Sequence, residues 1–349
     1  MYIAQGPYIF AETQPRRAPR SAPSTEDSPP DADRDASGIL DHLHGLQTAN
    51  PAELNMEHLQ LVLQWILHTH KILARNEDTR KVWGMTVLQE GLQAPFLVHG
   101  IMALSALHLS LRGDEKASWL SMAIAHENRA LSMFSNQLVD INPSNAKALM
   151  SLASLVVAFS FGSALTRDTD DGPSVGALIE VFTLSRGVQT EVNGVFEFLR
   201  QSDFAPLFDI SPPAVIIPDQ VAKAFDHLEA LNDQHSRCSP RHNHASYARM
   251  ITHLRNLSAY SYALPTSMTL AAGLAIRAPA DFLDELKNHE PLALVVLAHY
   301  CLFLHLAREN WCIGPWGKMV LQEIRRRLSS GWQHHIEWAV SEVLDTTES

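Results

Sequence analysis

The chain has 349 residues, 46% of them hydrophobic and 19% charged, with Gly and Pro together about a tenth. That composition excludes a collagen-like, coiled-coil or wholly disordered protein. The 38 acidic residues outweigh 27 basic ones for a net charge of −11, which excludes a whole-chain basic footprint for nucleic acid. Three cysteines (Cys238, Cys301, Cys312) exclude a disulfide framework and a four-cysteine zinc site.

In chain order, residues 1–38 read as a disordered tail. Within it, Glu12 to Ser37 has five prolines, many Ser and Asp, and almost nothing apolar to offset chain entropy. Met1 to Ala11 lacks the charge and apolar core of a signal peptide, and the Arg16, Arg17 and Arg20 group is too diluted by proline to read as a nuclear signal. Residues 39–349 are expected to form the globular part. Met56 to Ala74 has helical spacing, with Leu59, Val62, Leu63, Ile66, Leu67 and Leu73 at steps of three and four and Leu61 and Trp65 widening the apolar stripe. Asp78 and Thr79 can cap a helix running to Gln89. Pro95 opens the next helix, Phe96 to Leu111, apolar nearly all round and therefore central.

Lys116 to Ile141 is amphipathic, with Leu120, Ala123, Ile124, Leu131 and Phe134 on one face and His126 opposite. Ser144 is expected to cap the next helix. Ala148 to Leu165 is an uncharged run of 18 residues, diluted by serines and without an aromatic belt or a flanking cluster of positive charge, so it reads as a core helix and not a membrane span. Arg167 to Pro173 is a loop, and Val188 to Pro218 is broken by four prolines. Further helices are expected over 219–233, 242–263, 281–288, 291–308, 316–329 and 332–344, with 273–279 as a connection. No strand-forming run is long enough to start a sheet. The expected fold is all-α, a single irregular bundle of about a dozen helices.

Chemistry-bearing motifs are sparse. There is no G-x-S-x-G elbow, H-E-x-x-H pair, P-loop or G-x-G-x-x-G. Cys238, His242 and His244 make the best local metal candidate but lack a fourth ligand, and Asp168, Asp170 and Asp171 read as a solvated loop, so no metal or cofactor is expected. His99 and His108 share one apolar helix, and His299 and His305 share another; a hydrogen-bonded core histidine is the plainer reading of each. Four of seven tryptophans (Trp311, Trp316, Trp332, Trp338) lie in the last 40 residues, and a Gly/Pro loop separates the first two. Such a loop between indoles can rim an apolar cavity or simply close the core.

Two blocks carry a family resemblance. They are APFLVHGIMALSALHLS (Ala94 to Ser110) and EPLALVVLAHYCLFLHL (Glu290 to Leu306), the second followed by Trp311, Gly314, Trp316 and a Trp332/Ile336/Trp338 ending. Together they resemble the C-terminal regulatory domain of fungal zinc-cluster (Zn2Cys6) transcription factors of the sterol uptake control protein type. The resemblance implies an all-α domain that dimerises and holds a sterol- or terpenoid-like ligand in an apolar pocket. Relatives of this kind also occur in secondary-metabolite gene clusters. Trp311, Gly314, Trp316 and Gly317 are the positions it points to for ligand binding; Phe303 and Leu304 are added by helical adjacency. No cysteine precedes Met56, so the zinc-cluster head is absent from this chain and no direct nucleic-acid contact is expected.

Two functional readings follow. The first is a regulator in nucleus or cytoplasm that acts through protein partners, as a homodimer or as a heterodimer with a full-length factor. The second is a cofactor-free cyclase or pericyclase using the same pocket, with His99, His108, His299 or His305 as acid or base. A remnant, or a chain whose first exon is missing, is a third possibility.

Overall fold

The computed structural model describes residues 55–345 except 114, 138–140, 168–171, 193–194 and 210–214. The expected tail and the Asp168, Asp170 and Asp171 cluster lie outside the described residues. No strand occurs among those described, and from Asn55 onward the chain forms one compact unit.

Helix α1 (Met56–Leu67) starts at Asn55, whose side chain accepts the His58 amide. It ends at His68, and a 3-10 turn (Thr69–Leu73) continues. This corrects the length expected here, and only part of the expected stripe faces inward. Leu61 and Trp65 are the fully buried residues, whereas Met56, Leu59, Leu63, Ile66 and Leu67 are exposed. Only Glu57, His58, Gln60 and Gln64 are polar, so the apolar arc is wider than one contact can cover, and the bulky indole takes the inward side.

Next come α2 (Glu77–Lys81), a π turn (Val82–Thr86) and α3 (Val87–Gly91). The N-cap is Asn76, not Asp78, and Thr79 takes part in the capping from the third helical position. Asn76 accepts the Thr79 amide and the Thr79 hydroxyl accepts the Asn76 amide, both at 2.9 Å, a reciprocal capping box. Asn76→Ala should therefore cost about 1 kcal/mol in urea unfolding.

The two blocks of all-round apolar sequence are the innermost helices. Helix α4 (Pro95–Ser110) packs against α5 (Lys116–Gln137) and α6 (Ala146–Ala164). Helix α6 is long and apolar enough to cross a membrane, yet most of it is buried inside the protein. Asn145, not Ser144, stands at its N-terminus. On α5 the expected faces are partly exchanged, because His126 is buried and Ile124 exposed.

Helix α7 (Val175–Val192) is tied to a distant helix where the Val175 amide donates to Glu323 at 2.7 Å. The proline-rich middle holds two short helices, Phe196–Arg200 and Ala205–Phe208. Then follow α8 (Asp219–Cys238) and α9 (His244–Ala263). The stretch expected as a connection is helical at Gly273–Arg277. Helix α10 (Ala280–Lys287) bends by 105° into α11 (Pro291–Leu306). Every residue of α11 from Leu292 to Leu304 is buried, which makes it the centre of the C-terminal half. The chain closes over it with α12 (Trp316–Arg327), a 3-10 turn (His334–Ile336) and α13 (Glu337–Val343).

Candidate functional site

The loop between α11 and α12 carries Trp311 to Pro315, the segment that sequence singled out. Asn310 anchors it: its amide donates to the carbonyls of Ile72 (3.3 Å) and Thr266 (3.0 Å), while its oxygen accepts the Cys312 amide. Nothing local marks Asn310, because one of its partners lies 238 residues away. Within the loop Gly314 has φ 44°, a left-handed conformation that glycine adopts without a Cβ penalty.

The half-buried Trp311 lies flat on His108 of α4, ring centroids 4.3 Å apart and nearly parallel. The His108 Nδ1 meets the Thr69 hydroxyl at 3.0 Å and the Gln64 amide nitrogen at 3.2 Å. An amide N–H can only donate, so Nδ1 is the acceptor and the proton resides on Nε2. Burial above all, with Arg112 and His68 adding repulsion, drops the His108 pKa to about 3 and keeps the ring neutral. Its Nε2 and the Trp311 Nε1 are both buried without a hydrogen-bond partner, as is the Ser105 hydroxyl one turn earlier on α4. A buried N–H donor without an acceptor is expensive; the Trp65 and Trp338 indole nitrogens are in the same condition elsewhere in the core.

The other expected ligand positions are structural walls. Trp316 is fully buried, edge-on to Phe161, and donates its indole N–H to the Phe161 carbonyl at 3.0 Å. Gly317 lies against the α11 backbone, and a Cβ there would come within 2.5 Å of the Cys301 carbonyl oxygen. Phe303 and Leu304 are buried in α11, with Phe303 stacked at 6.4 Å on Phe225. A recess of about 730 Å³ lies apart from these residues, lined by Gln322, Arg325, Arg326, Gln333 and Leu344.

The histidines proposed as acid or base are dispersed. His99 pairs with His126 through their Nδ1 atoms at 2.8 Å. His299 donates from Nδ1 to the Val295 carbonyl, and burial holds its pKa at about 4. Burial also lowers the pKa of His305. Among the described residues no hydrogen bond or ring contact joins any two of His99, His108, His299 and His305. The C-x3-H-x-H motif is spread out as well: Cys238 is exposed, His242 bonds Asn232 at 2.6 Å and His244 bonds Asp233 at 2.8 Å. No group of three metal-type ligands is assembled among the described residues. Sequence reasoning missed Gln64 and Thr69 as part of the site, because they meet His108 only through the packing of separate elements.

Residues 65–168 match the family described as fungal specific transcription factor domain. The chain is 26% identical over 155 residues to sterol uptake control protein 2 of Candida albicans, covering 44% of this chain and 21% of that protein. The aligned part thus spans about a fifth of the relative's length. These similarities support a regulatory domain of the fungal transcription-factor type with a transcription-regulator-like role.

Proposed function

We propose that this fungal transcription-factor-type domain is a ligand-responsive regulator that works in the nucleus through protein partners. Its ligand is a hydrophobic, sterol- or terpenoid-like molecule bearing at least one oxygen. The observation that carries this reading is the unmatched donor pair at His108 Nε2 and Trp311 Nε1. A hydrocarbon cannot satisfy those groups, whereas a hydroxyl, ketone or ether oxygen can. Trp311 and Gly314 form the movable side of the site: the indole is half-buried, and a glycine hinge with φ 44° follows it. Phe303, Leu304, Trp316 and Gly317 are packed into the core and supply the fixed frame behind it. Ligand binding then shifts the balance between loop states by its difference in affinity for them. The exposed stripe Met56, Leu59, Leu63 and Ile66 repeats at spacings of four and three, the spacing with which a helix pairs against another. It supports association with a second copy or with a full-length factor.

Native mass spectrometry of the purified chain with ergosterol as probe tests the ligand. A one-to-one adduct is expected, and Trp311→Phe, which keeps the ring stack but removes the N–H, should weaken it roughly tenfold. Absence of any adduct with ergosterol or with a fungal lipid extract would refute the ligand reading.

A further inference from the structure

The C-terminal turn is fastened by imidazoles. His335 Nδ1 and His227 Nε2 of α8 are 2.8 Å apart, a hydrogen bond in which one ring donates and the other accepts. His334 packs on His335 with ring centroids 3.7 Å apart. Trp332 bridges His335 (5.6 Å) to His235 of α8 (5.1 Å). Beneath them His299 of α11 is fully enclosed beside Trp338, whose indole N–H has no acceptor. Five histidines from three elements therefore converge under and around one short segment.

We infer that this imidazole assembly is an acid-sensitive latch that holds Ser330 to Val343 against α8 and α11 at neutral pH and lets it go on acidification. The bond between His227 and His335 needs one unprotonated nitrogen; when both rings carry protons, two donors face each other at 2.8 Å. The surrounding charges do not compensate. Asp226 and Glu229 of α8 are engaged by Arg255 at 2.9 and 3.0 Å, and Asp233 by His244. From α12, Arg325 and Arg326 line a recess with Gln333 and add only positive charge nearby. His242 reaches His235 from the other side, with ring centroids 5.8 Å apart. Glu337, at the start of α13, is exposed and makes no ion pair among those described.

The direction of the pH effect follows from proton counting. Burial first, then His334, His227 and His235, lower the His335 pKa from 6.5 to about 4. The latched form thus binds fewer protons than the open one, so latching is complete above pH 6.5 and weakens as pH falls toward 4. At pH 5 the unscreened ratio is about thirty, from those two pKa values. Solvent screening of this partly exposed cluster brings the expected change to roughly three- to tenfold.

Amide hydrogen exchange of the full chain at pH 7.5, 6 and 5, corrected for intrinsic exchange rates, tests the latch. Peptides covering 330–343 should open three- to tenfold more at pH 5 than at pH 7.5, relative to peptides from α4. His335→Asn retains a hydrogen-bonding group toward His227 but cannot take up a proton, and should flatten that dependence. Should it fold poorly, His227→Asn provides the same comparison. Equal pH dependence in wild type and a folded variant, or no dependence in the wild type, would overturn the inference. Either result leaves the ligand reading untouched, because that rests on His108 and Trp311.

Discussion

Gly317→Ala is expected to destabilise the protein by about 3 kcal/mol, lowering its midpoint in guanidinium unfolding. The three nearest atoms a Cβ would meet are all backbone: the Cys301 oxygen at 2.5 Å, the His305 nitrogen at 2.7 Å and the His305 Cα at 3.1 Å. None can turn aside like the end of a flexible side chain, so α12 must move away from α11. Overpacking in a close-packed interior typically costs 1–3 kcal/mol, and this site lies at the upper end because helix backbone opposes the methyl group. Gly100 makes a useful control. A Cβ there would come within 2.2 Å of Leu152 Cδ1, the tip of a side chain that can change rotamer. Gly100→Ala should cost clearly less, and equal losses at the two positions would contradict this account.

Trp316→Ala should cost about 4 kcal/mol, the range for emptying a large buried aromatic. The side chain is 0% exposed, contacts Phe161 edge-on at 5.1 Å, and satisfies the Phe161 carbonyl. Trp316→Phe separates the two contributions: it fills most of the volume but strands that carbonyl, for a loss of about 1–2 kcal/mol. If phenylalanine costs as much as alanine, the hydrogen bond and not the packing dominates at this position.

The central helices were legible in the sequence for a simple physical reason. A segment apolar around its whole circumference has no solvent-facing side, so α4 and α11 had to be interior wherever their neighbours lay. On helix α1 the same logic gave the stripe but not its inward part, since a wide apolar arc does not say which part faces the core. The stop at His68 was also hidden, because no glycine or proline marks it. On α5, His126 was placed outward on polarity, but its partner His99 lies on another helix and makes burial tolerable. At the candidate site the tryptophan loop could be read directly. The groups that set its chemistry could not, since Thr69 and His108 are 39 residues apart and Asn310 and Ile72 are 238 apart.

The unbroken burial of α11 has a consequence for how its rotational setting is chosen. A helix with a hydrophilic stripe is indexed by water: turn it, and a charge goes under. Turning α11 by one residue would submerge nothing new, so solvent gives almost no penalty for slippage. The indexing therefore falls to a few keyed features, namely the Tyr300 hydroxyl donating to the Ala271 carbonyl and the side-chain-free notch at Gly317 that fits the Cys301 to His305 backbone. Evolution can exchange one aliphatic residue for another along most of this helix, but a change at either key would leave the whole rod free to settle at a wrong angle.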